Sequence, residues 1–183
     1  KFIGLEISEK NSIKRLIKFD ACLVTTPSHI FEKLVGDDLS LAYKNKIASI
    51  KYMSAVLIVL VLNKPLTDRY WLNIADRSIP FVAVIEHTNF IDSSNYSDKH
   101  IVYLSNYLDK DNYMYSMSHE ELLEHYIPHL VKINPDFNSD WIETSYHHKI
   151  DYAQPIVGIN YSKNIPDHKT PIQGLYLANT SQV

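Results

Sequence analysis

The sequence has one cysteine, four glycines and no long apolar run, and each shortage excludes a class of protein. The lone Cys22 excludes an internal disulfide framework; within the apolar run ACLV it is expected to be a buried hydrophobe in a reducing compartment, which predicts a cytoplasmic location. The longest apolar run, residues 55–62, is far short of the roughly 20 residues that span a bilayer. We therefore expect no membrane span.

Charge and glycine spacing restrict the ligands that the chain can hold. A net charge of −3 without a basic stripe predicts neither a nucleic-acid partner nor an anionic membrane surface. The glycines lie far apart, so the chain has no GxGxxG fingerprint and no phosphate loop. By itself this chain is not expected to hold a dinucleotide pyrophosphate in the usual manner.

Hydrophobic periodicity and turn residues predict an α+β fold. The short connections between the central strands favour antiparallel pairing, because a parallel crossover needs a dozen residues or more. The expected fold is a mainly antiparallel mixed sheet covered by helices, with α/β stubs at both ends. The predicted strands are a hairpin over 2–17 with a polar turn at 9–12, and strands over 21–26, 52–62, 70–75, 81–88, 101–108, 141–150 and from Leu175. Helices are predicted over 29–35 with Ser28 as N-cap and Gly36 as end, over 38–47, and from a capping box at Ser118 to a kink or end near Pro128. Residues 151–169 are predicted to be irregular, and residues 179–181 to form a turn or N-cap.

The residue pattern predicts no catalytic constellation and no metal site. Apolar neighbours surround Cys22, which does not favour a reactive thiolate. His125 and His129 are spaced i, i+4, but a proline lies between them and no HExxH motif is present. His147 and His148 alternate across a predicted strand and face opposite ways.

Aromatic residues are the most distinctive component, with thirteen tyrosines and two tryptophans. They are either the lining of a pocket for a planar apolar substrate or simply good strand residues with one polar end. The polar residues at the end of VIEHTN are either a sheet edge or the rim of a site. Both questions stay open at this level.

Six segments in order resemble the flavin-dependent amine-oxidase superfamily, in particular its protoporphyrinogen-oxidase-like and phytoene-desaturase-like members. They are FDACLVTTPSHIFEKLV, PFVAVIEHTNFI, IVYLSNYL, VKINPDF, DYAQPIVGINY and TPIQGLYLANTSQ. The resemblance implies FAD in the full-length protein, and an antiparallel substrate domain inserted into a Rossmann-like flavin domain. It divides the chain into a flavin-domain-like stub over 1–36, a substrate-binding domain over 37–170 and a returning flavin-domain strand over 171–183, and both ends are expected to be cuts in a longer protein.

The resemblance also assigns roles to individual residues. Asn179 and Thr180 stand where many relatives have glycine followed by an acidic residue. The residues implied to bind the cofactor are Thr25, Thr26, Pro27, Gln154, Pro155, Asn179 and Thr180. The residues implied to bind the substrate are His87, Asn89, Tyr103 and Tyr152.

Two functional hypotheses follow. The first is the substrate-binding portion of an FAD-dependent oxidoreductase that oxidises a large apolar substrate by hydride transfer to flavin, the fragment itself being inactive. No acid or base is required of this portion, because hydride transfer depends on holding the donor carbon near the ring in a dry cavity. The alternative is a non-catalytic binding or protein-interaction module with an aromatic face. A segment cut from its neighbouring domain is expected to expose apolar surface and self-associate.

Overall fold

The computed structural model describes residues 3–8 and 14–183, which form two compact units. The terminal unit comprises the described residues up to Tyr52 together with Pro155–Val183, and the central unit is Met53–Gln154. These bounds differ from the predicted division at 36 and 170, and the assignment of flavin and substrate roles to the segments stays a prediction. Among the described residues, no helix combines the length and the apolar character that crossing a membrane requires.

The helices and strands follow a strand-rich order. They are β1 (Leu5–Ile7), β2 (Arg15–Ile17), β3 (Cys22–Val24), α1 (Ser28–Val35), α2 (Leu41–Ala48), β4 (Tyr52–Leu62), β5 (Trp71–Asn73), β6 (Ala83–Glu86), β7 (His100–Leu108), α3 (Tyr113–Ser116), α4 (His119–Tyr126), β8 (Ile142–Pro155) and β9 (Leu175–Leu177). Short 3₁₀ segments lie at Gly36–Asp38, His87–Asn89, Ser93–Tyr96, Ile127–Lys132, Ser139–Trp141, Tyr161–Lys163 and Thr180–Gln182.

The terminal unit contains two small sheets. β1 and β2 form the predicted antiparallel hairpin, whereas Phe2 and the predicted turn at 9–12 lie outside the described residues. β3 and β9 pair in parallel, with Cys22 opposite Leu175, although they are about 150 residues apart in sequence. The core of this unit contains Phe31, Leu39, Tyr43, Ile47, Leu175 and Leu177, with Cys22 packed half-buried against it.

The predicted start of α1 is wrong by one residue. Pro27 is the N-cap and makes no side-chain capping bond, whereas Ser28 is buried and its hydroxyl bonds that of Ser181 at 2.9 Å. The predicted end at Gly36 is confirmed, and its φ of +64° is a conformation that glycine adopts without steric cost. α2 begins three residues later than predicted, because Ser40 is its N-cap.

The central unit is built on a five-stranded sheet in the order β5-β6-β7-β4-β8. The β5–β6, β6–β7 and β7–β4 pairs are antiparallel, as predicted. Alternate residues of β4 point into one core, where they meet α4. The fully buried side chains of that core include Val56, Ile58, Leu60, Leu62, Val84, Val102, Leu104, Leu122, Tyr126 and Leu130.

The predicted capping box of α4 is confirmed. Ser118 Oγ accepts from Glu121 N at 3.2 Å, and Glu121 Oε2 accepts from Ser118 N at 2.8 Å. The α-helix ends at Tyr126 and continues as a 3₁₀ segment, because Pro128 has no N–H to donate to an α-helical bond. The predicted kink or end near Pro128 is therefore also confirmed.

Several predicted strand boundaries are wrong: the strand over 21–26 is reduced to β3, and the strand over 81–88 begins only at Ala83. The strand over 81–88 ends at Glu86, where a 3₁₀ turn begins, and the strand over 70–75 is reduced to β5. β8 extends to Pro155, through residues predicted to be irregular. The extension has a tertiary cause: β8 lies beside the eleven-residue β4, and Ser54 Oγ donates to the backbone oxygen of Asp151 at 3.0 Å.

Candidate functional site

The central sheet has a second face, opposite its core. Strand register places Trp71 opposite Ile85, Ile85 opposite Tyr103, and Tyr103 opposite Val59. Side chains that are paired across antiparallel strands lie on the same face, so these four form one row across the sheet. A second row contains Asn73, Ala83, Ser105 and Leu57. We call these two rows the outer face.

Aromatic and polar groups meet on the outer face. The ring of His87 lies 5.4 Å from that of Tyr96 and 6.2 Å from that of Tyr103, measured between centroids. His87 Nε2 and the Tyr96 hydroxyl are 2.7 Å apart, so they share a hydrogen bond. Trp71 is 53% exposed, and its Nε1 donates to Asn73 Oδ1 at 2.9 Å. The face therefore offers ring surfaces together with a few fixed polar groups, the usual composition of a small-molecule site.

Two of the four predicted substrate residues, His87 and Tyr103, are brought together here. Tyr96 and Trp71, which join them, were not among the predicted site residues. Tyr96 lies in a polar loop without periodicity, and the position of Trp71 depends on the register of β5, so neither had a local sequence signal.

Tyr152 lies on β8 among charged groups. Lys110 Nζ lies 4.7 Å from the centroid of the Tyr152 ring and 2.8 Å from Asp151 Oδ2. The Tyr115 hydroxyl donates to Asp151, and this hydrogen bond raises the pKa of Tyr115 to about 12. Gln154, the next predicted residue on this strand, is exposed, whereas Pro155 is buried.

Asn89 has a different environment from the one its predicted role implies. Its Nδ2 donates to the backbone oxygens of Thr67 and Arg69, at 2.8 and 3.0 Å. The side chain therefore holds a loop and lines a separate cavity with His100 and Asn134. Its substrate role stays a prediction.

The predicted cofactor residues of the terminal unit lie at one edge of its parallel sheet. Thr25, Thr26 and Pro27 follow β3, and Asn179 and Thr180 follow β9. Because the strands are parallel, both segments leave the sheet at its carboxyl end, where open α/β sheets bind ligands.

Asn179 connects the two segments. Its Nδ2 donates to Thr26 O at 2.9 Å and to Ser28 Oγ at 3.2 Å, and its Oδ1 accepts from Ser181 N at 3.0 Å. It is also the N-cap of Thr180–Gln182, which confirms the predicted turn or N-cap. Within residues 14–183, the buried Thr26 hydroxyl has no hydrogen-bond partner, whereas Thr25 and Thr180 are exposed.

No metal centre is formed by the described residues. Among them, no three histidine, cysteine, aspartate or glutamate side chains are grouped so that they could hold an ion. The rings of His125 and His129 are 6.4 Å apart between centroids.

Comparison with protein families gives one match that covers almost the whole chain. The model described as "Flavin containing amine oxidoreductase" matches residues 3–182. Among curated proteins, no sequence is significantly similar to this chain.

Solved structures share the fold at low sequence identity. A proposed protoporphyrinogen oxidase from Exiguobacterium sp. 255-15 superposes with a TM-score of 0.66 and 14% identity, over 98% of this chain and 41% of that one. An oxidoreductase from Methanosarcina mazei superposes with a TM-score of 0.68 and 17% identity, over 98% of this chain and 43% of that one. A wild-type putrescine oxidase bound to putrescine superposes with a TM-score of 0.66 and 14% identity, over 98% of this chain and 40% of that one. The chain thus spans less than half the length of each of these three relatives.

Proposed function

The chain belongs to the flavin-containing amine oxidoreductase family, and from this premise we propose that it is the substrate-binding portion of an FAD-dependent oxidoreductase. The full-length enzyme oxidises a large, mainly apolar substrate, and the 183-residue chain alone is inactive. The observation that supports this best is the outer face, where His87, Tyr96 and Tyr103 meet beside exposed Trp71. A cytoplasmic location is part of the proposal, supported by the single cysteine.

FAD is the cofactor of a flavin-containing family. We place its dinucleotide portion at the strand ends of the terminal unit. Thr26 has a buried hydroxyl without a hydrogen-bond partner in the described chain, at an edge where parallel strands end. We assign Thr25, Thr26, Pro27, Asn179 and Thr180 to its dinucleotide portion. Gln154 and Pro155 are assigned to the neighbourhood of the isoalloxazine. When bound, the flavin accepts a hydride from the substrate.

The residues of the outer face bind, orient and dehydrate the substrate. Tyr103 and Trp71 present ring surfaces that bury apolar atoms and exclude water. His87 is held by Tyr96, so its ring has a fixed orientation towards anything bound on this face. Orientation and water exclusion account for a large share of the rate in reactions of this type, and no acid or base from this portion is needed.

A second candidate function is a non-catalytic interaction module. The exposed rings of Tyr70 and Phe90 are 5.2 Å apart between centroids, and Phe90 is 70% exposed. An aromatic patch of this kind, close to the short edge strand β5, also suits a protein partner.

The visible spectrum of the full-length protein separates the two candidates. An FAD-dependent enzyme purifies with flavin absorbance, or gains it when FAD is added to the apoprotein. Full-length protein that stays colourless after reconstitution, yet remains folded by circular dichroism, would leave the interaction module as the better explanation.

The outer face is tested by Tyr103→Ala in the full-length enzyme. Anaerobic flavin reduction by a panel of polycyclic and long-chain apolar reductants is expected to slow about tenfold, because one aromatic contact is lost. Tyr113→Ala is the matched control, since Tyr113 is 60% exposed and lies beside His125 on α4. Equal effects of the two substitutions would contradict a role of the outer face in substrate binding.

Self-association of the isolated chain is the remaining part of the proposal. In the terminal unit Leu23, Leu34 and Leu41 are 60%, 61% and 74% exposed. Apolar side chains exposed to this extent favour association. Sedimentation of the 183-residue chain should show oligomers that grow with concentration, and a monomer at high concentration would count against it.

A further inference from the structure

Residues 66–69, which we call the clamped loop, are held in place by side chains from elsewhere in the central unit. Glu86 lies at the end of β6 and is fully buried. Its carboxyl oxygens accept from the backbone N–H groups of Leu66, at 3.1 Å, and Thr67, at 2.6 Å. A buried carboxyl group thus provides the acceptor that a neighbouring strand would normally provide.

Two neutral amides complete the clamp. Asn134 Nδ2 donates to Leu66 O at 3.0 Å, and Asn89 Nδ2 donates to the oxygens of Thr67 and Arg69. Of these three clamping side chains, Glu86 is the one that can gain or lose a proton. A role that depends on protonation can therefore be distinguished from a merely structural one.

His100 is a titratable neighbour of Glu86. His100 Nδ1 lies 3.4 Å from Glu86 Oε1; it is buried and makes no hydrogen bond within the described residues. Burial raises the pKa of Glu86 to about 7 and lowers the pKa of His100. Glu86 therefore holds its proton in slightly acidic solution, because the charged form is disfavoured in a buried site.

The other charged groups around Glu86 and His100 form ion pairs of their own. On the clamped loop, Asp68 pairs with Arg69, and both are exposed. On the 3₁₀ segment after α4, Lys132 pairs with Asp76. On β7 and the residue before it, the basic groups are His100 itself and Lys99, which pairs with Glu143. His87 follows Glu86 in sequence, but it bonds Tyr96 on the outer face.

Glu86 also connects the clamped loop to the outer face. Its backbone N–H donates to Tyr70 O at 2.9 Å, directly before β5 and Trp71. We propose that Glu86 is a positioning residue whose protonation state controls the clamped loop, which is closed when Glu86 is protonated and opens to water when Glu86 is ionised. The consequence for substrate binding, through Trp71, rests on the proposed function; the control of the loop does not.

Hydrogen exchange of the full-length protein tests the control of the loop. Peptides that cover residues 65–70 are compared at pH 6 and pH 8, after correction for intrinsic exchange rates. Because the pKa of Glu86 is about 7 when buried and 4.5 in its ordinary state, opening of the loop is expected to be about tenfold more frequent at pH 8.

Four variants make the test decisive. Glu86→Gln imitates the neutral acid and should keep the loop protected at both pH values, whereas Glu86→Ala should leave it open at both. Asn134→Ala removes a neutral clamp, so it should loosen the loop while preserving the tenfold pH response. A pH response that persists in Glu86→Gln, or that disappears only in His100→Gln, would overturn the assignment to Glu86.

The same preparations separate this inference from the proposed function. If the full-length protein binds no flavin but its loop opens with pH as described, the proposed function fails and the control by Glu86 stands. If flavin is bound and the loop shows equal protection at pH 6 and pH 8, the control by Glu86 fails alone.

Discussion

Leu130 and Val131 are neighbours in sequence whose side chains have opposite environments. Leu130 is fully buried in the central core, whereas Val131 is 46% exposed. Leu130→Ala is expected to lower the free energy of unfolding by about 2–5 kcal/mol, because it removes buried methyl groups and leaves a cavity. Val131→Ala should change it by less than about 1 kcal/mol. Urea titration measures both, and similar losses for the two variants would contradict the described packing.

Asn179 and Thr180 are likewise adjacent and differ in environment. Asn179 makes four hydrogen bonds through its side chain, to Thr26, Ser28 and the backbone and hydroxyl of Ser181. Asn179→Ala is expected to cost about 1–3 kcal/mol of stability, because buried polar groups lose their partners. The exposed Thr180 should tolerate alanine without loss of stability.

Flavin affinity distinguishes a structural role from a cofactor-binding role for Asn179 and Thr180. If Thr180 contacts the dinucleotide, Thr180→Ala weakens FAD binding at unchanged thermal stability. Titration of the full-length apoprotein with FAD measures the affinity, and unchanged binding by Thr180→Ala would remove this residue from the cofactor site.

The residue types in VIEHTN predicted a polar cluster at the end of this strand, but they did not predict which neighbours each side chain contacts. His87 and Tyr103 are neighbours on the outer face, but the exposed side chain of Asn89, close to His87 in sequence, bonds the clamped loop instead. The cause is the change from strand to 3₁₀ turn after Glu86, which ends the alternation of side chains. No local pattern in VIEHTN specifies that change.

At the scale of elements, the capping box of α4 gives a direct test. Ser118→Ala removes the acceptor for Glu121 N and is expected to cost about 1 kcal/mol. Ser118→Asp retains an acceptor oxygen and should preserve most of the stability. Thermal unfolding of the two variants measures the difference, and an alanine variant as stable as wild type would show that packing alone holds the start of α4.

Elements with a strong local signal were predicted close to their observed bounds. β4 was predicted at its observed limits because its long apolar run is followed by the turn residues Asn63, Lys64 and Pro65. α4 began where its capping residues placed it. β8 was predicted five residues too short, since residues 151–155 have no strand pattern and are extended by pairing with a neighbour. Element type followed from local residues, whereas length followed from pairing.

For the whole molecule, the buried carboxyl of Glu86 predicts how stability varies with pH. Its folded pKa, about 7, is above the ordinary value of 4.5, so the folded state holds this proton more tightly than the unfolded state. The contribution is fully present below pH 4.5 and is lost as pH rises through 7. Relative to Glu86→Gln, wild type should therefore lose about 1–3 kcal/mol between pH 4.5 and pH 8.

Denaturant unfolding of wild type and Glu86→Gln across this pH range measures the difference. The difference between the two proteins removes the contributions of the other titrating groups to the free energy of unfolding, because those groups are common to both. Parallel pH profiles, or a wild type that gains stability relative to Glu86→Gln as pH rises, would contradict a neutral buried acid at this position.

By itself, the sequence determined the α+β class, the antiparallel central strands, the N-terminal capping box of α4 and the resemblance to flavin enzymes. Periodicity, turn residues and short ordered segments are local properties of the chain, so they can be recognised without the structure. The tertiary structure alone decided the rest. The parallel pairing of β3 with β9, the row from Trp71 to Tyr103 and the contact of Glu86 with His100 join residues far apart in sequence. Strand register and burial create such contacts, and neither is encoded within any single segment.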